Sequence, residues 1–126
     1  MQLYQNAKKK YSAKKYGDKV RFIETNPCTE FWFLLHFLPN VVCRKYENYE
    51  QLLPELQKHM PGYEKTKRYF IKTNLYKYLT ENGDLNRAVI NSEKLCLLCK
   101  ESSNDLKAYS EIHLIITLLN NLLTTV

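Results

Sequence analysis

Between Val20 and Phe37 the chain changes character twice. Lys19-Val20-Arg21-Phe22-Ile23-Glu24-Thr25 is β-prone with partial alternation, which predicts a strand over about 19–25. Asn26-Pro27 then supplies an N-cap residue and a favoured first helical residue, so a helix is expected over about 27–38, closed by Pro39-Asn40. Phe31, Trp32, Phe33, Leu34, Leu35 and Phe37 make that helix apolar on nearly every side. Such a helix must be packed all round, so it belongs at the centre of the fold. Its one anionic side chain, Glu30, falls in the first turn. There a carboxylate either steadies the helix terminus, worth about 0.3–1 kcal/mol, or is a working acid at the carboxyl end of a strand.

The remaining elements read as helices around this centre. Residues 3–16 carry Leu3, Tyr4, Ala7 and Tyr11 at helical spacing, and Gly17-Asp18 ends the run. Residues 47–59 place Tyr49, Leu52, Leu53 and Leu56 on one face, with Pro54 an awkward interior residue. Met60-Pro61-Gly62-Tyr63 reads as a turn, and residues 64–81 predict one helix through Tyr69, Phe70, Leu75, Tyr76 and Leu79. Asn82-Gly83 breaks it. Asp84 then caps a helix through Leu85, Ala88, Val89, Leu95 and Leu98. After a polar loop at Ser102-Ser103-Asn104-Asp105, a last helix is expected from near Ser110, burying Ile112, Ile115, Ile116, Leu119 and Leu122.

The expected class is α/β and helix-dominated: a single domain over 1–126, with a short sheet packed by five or six helices. A lone strand leaves backbone donors and acceptors unpaired. Its partner is expected from residues 41–43, from a second chain, or from a part of the protein outside this chain.

The net charge is +6, concentrated in Lys8, Lys9, Lys10, Lys14, Lys15 and Lys19 and again in Lys65, Lys67, Arg68, Lys72 and Lys77. Basic faces of this size are more often solvated surface than a nucleic-acid site. Even so, Tyr63, Lys65, Lys67 and Arg68 combine an aromatic platform with phosphate-seeking cations, the elements of a backbone-binding surface; the favoured alternative is ordinary packing of Tyr63 beside solvated lysines. No apolar run approaches the ~20 residues needed to span a bilayer. With no secretory signal at the amino end, a cytoplasmic protein with reduced thiols and no membrane contact is expected. Cys96-Leu97-Leu98-Cys99 has the gap of a metal knuckle, but two leucines in a helical stripe favour buried apolar cysteines. His36 lies six residues beyond Glu30, about 1.7 turns, so the two cannot grip one ion from a single helix.

The run Thr25-Asn26-Pro27-Cys28-Thr29-Glu30-Phe31-Trp32-Phe33-Leu34-Leu35-His36-Phe37 resembles the "SNPCFExWLLLHF" signature of the RloB-like family. The resemblance continues at Leu53-Pro54, through Met60-Pro61-Gly62-Tyr63-Glu64-Lys65, and at Ala108-Tyr109-Ser110-Glu111-Ile112-His113. It covers about residues 18–122, and only the first block is distinctive alone. It implies a Toprim-like domain, a nuclease using Mg²⁺ or Mn²⁺, and work beside an ATPase partner in phage defence by abortive infection. By that resemblance Glu30 is the candidate catalytic and metal-binding residue. Toprim chemistry also needs an Asp-x-Asp cluster, which this sequence lacks. The chain therefore resembles the carboxyl-terminal portion of such a protein and is expected to be inactive alone. The competing expectation is a non-catalytic module that binds nucleic acid, a protein partner or a second copy of itself.

Overall fold

Helix α1 (Glu30–Leu35) takes the central position its composition demands, with Glu30, Phe31, Trp32, Leu34 and Leu35 all buried. The structure is a computed structural model that describes residues 22–100 and 107–124, together with Gln5, Asn6 and Lys9. Before α1 comes strand β1 (Thr25–Asn26). After it come α2 (Tyr49–His59), α3 (Lys67–Lys72), α4 (Leu75–Asn82), α5 (Leu85–Leu95), a π-helical turn (Cys96–Lys100), β2 (Tyr109–Ser110) and α6 (His113–Thr124). The fold is helix-dominated with one small sheet. Of the predicted helix over 3–16 and the first lysine cluster, Gln5, Asn6 and Lys9 fall among the described residues, and those three are helical; the rest lie outside them.

Of the strand expected over 19–25, residues 19–21 lie outside the described residues, 22–24 are not strand, and β1 begins at Thr25; its partner is none of those anticipated. β1 pairs antiparallel with β2, Thr25 opposite Ser110 and Asn26 opposite Tyr109. The Thr25 and Ser110 hydroxyls meet at 2.9 Å. Glu111 N–H extends the pairing to the Glu24 carbonyl at 2.8 Å, and Glu24 N–H returns to the Glu111 carboxylate at 3.1 Å. Residues 41–43 stay out of the sheet. Arg44, just beyond them, accepts from Ala108 N–H at 2.6 Å, which ties that stretch to the run entering β2. Ser110 therefore belongs to a strand, and the last helix starts at His113 rather than near Ser110.

Helix α1 is also shorter than the predicted 27–38. Pro27 lies in a bend after a cis Asn26–Pro27 peptide, and the Asn26 side chain donates to the Lys107 carbonyl at 3.1 Å instead of capping a helix. Tight i→i−3 bonds bracket α1 at both ends: Phe31 N–H to Cys28 O at 3.0 Å, and Phe37 N–H to Leu34 O at 3.0 Å. Asn91 of α5 then donates to the Leu35 and Leu38 carbonyls at 3.0 and 2.9 Å, satisfying the end of α1 from outside.

α1 packs against α2 through Leu52 and Leu56 and against α5 through Ala88 and Leu95, all four 1% exposed or less. Pro54 sits inside α2 without ending it, on the exposed side away from this contact. The single helix predicted over 64–81 is two. Thr73 is extended between them, Thr66 caps α3 at Tyr69 N–H, and Asn74 caps α4 at Lys77 N–H. Asp84 caps α5 at Arg87 N–H, as expected.

Gly83 closes α4 where the chain passes close to α1. A Cβ there would lie 2.8 Å from His36 Cβ and 2.9 Å from the Leu79 carbonyl oxygen. Its φ of −115° is open to any residue, so the constraint is steric. Gly83→Ala is expected to destabilise by about 1–3 kcal/mol, the usual cost of forced overpacking, read as a lowered midpoint in thermal unfolding.

The cysteines depart from expectation. Cys28 and Cys96 are half-buried thiols outside any disulfide, whereas Cys43 is exposed and disulfide-bonded, so the expectation of reduced, buried thiols fails at that position. No described helix is long and apolar enough to cross a membrane.

Candidate functional site

Glu30 opens α1 four residues beyond β1, and its side chain turns inward, 3% exposed. It does not bond the free amides of its own helix. Instead Oε2 accepts from the Tyr63 hydroxyl at 2.8 Å, and the Lys65 ammonium lies 3.7 Å from the same oxygen. Oε1 is buried with no hydrogen-bond partner. The Lys65 ammonium also stands 5.2 Å from the centre of the Tyr49 ring, so one cation is held between a π face and a carboxylate.

The turn predicted at Met60-Pro61-Gly62-Tyr63 delivers these groups. Pro61 presets the second position and Gly62 takes φ +83°, the left-handed backbone that glycine reaches without a steric penalty. Tyr63 N–H closes the turn on the Met60 carbonyl at 3.0 Å, and Gln57 donates to the Tyr63 carbonyl at 3.1 Å. Tyr63 is thereby driven into the core, 1% exposed, with its ring 5.0 Å from Tyr69 and 6.1 Å from Phe33. Burial, and then the hydrogen bond to Glu30, push its phenol far above the usual tyrosine range. Cys28 feels the same carboxylate: burial first, then the Glu30 charge, raise its thiol to about 11.

The four residues expected to bind nucleic acid are separated by this geometry. Tyr63 is interior, so its ring is no stacking platform; Phe70, 43% exposed, is the accessible aromatic nearby. Lys65 is exposed along its length but tied at its tip to Glu30 and Tyr49. Arg68 lines a shallow depression with Gly62, Glu64, Tyr69, Lys72 and Thr73, while Lys67 stands on the exposed flank of α3. Sequence reasoning passed over Tyr49, which read only as one member of the α2 apolar face. Its position at the first residue of α2, where a ring reaches back across the helix start, was the available signal.

A Mg²⁺ ion takes near-octahedral oxygen ligation, commonly with one or two carboxylates in the set. Around Glu30 the structure places a phenol, a protonated thiol and an ammonium, all proton donors. Among the described residues no group of three or more His, Cys, Asp or Glu could hold a metal ion. The described residues do not fit a divalent cation.

Two histidines are structural. His36 Nδ1 donates to the Trp32 carbonyl at 2.9 Å, and burial lowers its pKa. His113 Nδ1 lies 2.6 Å from Ser92 Oγ, and that hydroxyl donates onward to the Ser110 carbonyl at 2.5 Å. A hydroxyl has one proton, so Nδ1–H must be the donor to Ser92. The relay clamps β2 to α5 and α6. Ser92, fully buried in mid-helix, gave no sequence signal for this role.

No curated protein and no solved structure matches the chain. A family model described as RloB-like protein matches residues 1–119, nearly the whole length. The chain belongs to the RloB-like family.

Proposed function

We propose that this chain is a phage-defence protein of the RloB type whose own part in the work is to engage the phosphate backbone of a nucleic acid. The complete form would cleave that nucleic acid with Mg²⁺ or Mn²⁺ beside an ATPase partner, using carboxylates other than those described in this chain. Family membership supports the defence role. The observation that carries the binding role is the exposed basic run after the Tyr63 turn, where Arg68 and Lys72 line one depression and the exposed Lys65 precedes them with its ammonium against Glu30 and Tyr49.

Fluorescence anisotropy with labelled single strands of DNA and RNA, across a salt series, tests this. Four phosphate contacts by Lys65, Lys67, Arg68 and Lys72 give a slope of log K against log salt of about −3, at about −0.7 per contact. Replacing Arg68 and Lys72 together by alanine should flatten that slope by about 1.4. A salt-independent affinity contradicts the proposal.

A second reading, a protein-docking module, is favoured by a different surface. Leu118 and Leu119 of α6 are more than half exposed near an apolar depression lined by Trp32, Tyr76, Leu79, Leu85 and Ile116. Binding of an ATPase partner or a second copy with no affinity for nucleic acid would favour this reading.

A further inference from the structure

The resemblance implies a metal-binding carboxylate at Glu30, and the surroundings of Glu30 argue for a different partner. The carboxylate faces a phenol O–H at 2.8 Å and an ammonium at 3.7 Å. Among the described residues it belongs to no group of three or more His, Cys, Asp or Glu that could hold a metal ion. A divalent ion at Oε2 would stand beside the Lys65 ammonium, a like-charge repulsion that weakens its binding there.

We infer that Glu30 is a positioning residue for Lys65 and does not ligate a divalent cation. Lys65 carries three N–H donors on a flexible stem. The Glu30 carboxylate and the Tyr49 ring hold its tip on one side, and the rest of the side chain remains solvent-facing, 58% exposed. An ammonium already fixed in place loses less freedom when it meets a phosphate, so its contact contributes more to binding. Glu30 is itself fixed by Tyr63, which the Met60–Tyr63 turn locks into the core. The chain of support runs from the turn to the phenol, the carboxylate and finally the ammonium. The nucleic-acid arm of this inference rests on the proposed function; the metal arm does not.

The test exploits a difference in sign. Removing a negative charge from a surface that binds a polyanion should, by Coulomb's law alone, tighten binding. Loss of positioning should weaken it. Glu30→Gln is expected to weaken oligonucleotide binding roughly threefold or more, and to have no weakening effect when Lys65 is already methionine. The glutamine keeps an acceptor for the Tyr63 hydroxyl, so the fold should survive. Tighter binding by Glu30→Gln, or equal weakening in the Lys65→Met background, overturns the inference. Should the unaltered chain fail to bind oligonucleotide, the proposed function fails and the metal arm decides the rest. In that arm Mn²⁺ is titrated into the chain by calorimetry and by electron paramagnetic resonance. No binding, or binding unchanged by Glu30→Gln, supports the inference, and stoichiometric binding lost in that variant overturns it. If Glu30→Gln does not fold, the exposed Lys65→Met variant replaces it. Mn²⁺ affinity that rises when the ammonium is removed overturns the inference, and unchanged affinity upholds it.

Discussion

Tyr63→Phe is expected to destabilise the protein by about 3 kcal/mol, although it removes a single oxygen atom. A hydrogen bond to a charged group contributes about 1.5–3 kcal/mol, and stripping a buried charge of its partner can cost about 3–5. Glu30 is 3% exposed, and its Oε1 already lacks a donor. Without the phenol, the carboxylate is left with the neighbouring Cys28 thiol and an ammonium 3.7 Å away on a solvent-exposed side chain. The phenylalanine ring still fills the space between Tyr69 and Phe33, so no cavity confuses the result. Urea or thermal unfolding followed by circular dichroism reads it, as a midpoint lower by roughly 10 °C for a domain of this size. A loss below about 0.5 kcal/mol would mean that the carboxylate does not depend on the phenol.

Leu35→Ala is expected to cost about 2–5 kcal/mol, the range for emptying a fully buried leucine site. Leu35 is 0% exposed on α1, the helix that both α2 and α5 pack against. A helix of six residues cannot shift to fill the gap, because β1 fixes one end and the Asn91 hydrogen bonds hold the other. Leu118→Ala on α6 is the control: 58% exposed, it should change stability by less than about 0.5 kcal/mol. Equal losses at the two positions would contradict the placement of the core.

The parts of this fold that were legible in the sequence are those set by local chemistry. The all-apolar run 31–35 announced the central helix, Asp84 announced the start of α5, and Pro61-Gly62 announced the turn. What was hidden depends on distant partners. Asn26 looked like an N-cap, but its amide is used by the Lys107 carbonyl, 81 residues away. Ser110 looked like the start of the last helix because its β-bridge to Thr25 crosses 85 residues and leaves no local trace. Thr73-Asn74 carried a readable stop and cap, overlooked because the alternation of apolar residues and cations continued across it. At the candidate site, Glu30 was identifiable from its position and Tyr63 was expected to pack in the ordinary way, but its hydrogen bond to the Glu30 carboxylate was not foreseen. Which carboxylate a buried tyrosine meets depends on a contact across 33 residues, and the local sequence carries no trace of it.

The most direct check on the carboxylate-centred site is a double-mutant cycle in stability between Glu30→Gln and Tyr63→Phe. If the buried charge and the phenol are partners, the two losses fall short of additive by more than about 1 kcal/mol, because either change alone already removes the charged hydrogen bond. Additivity within about 0.5 kcal/mol would show that Glu30 and Tyr63 act independently, and would contradict the site as described.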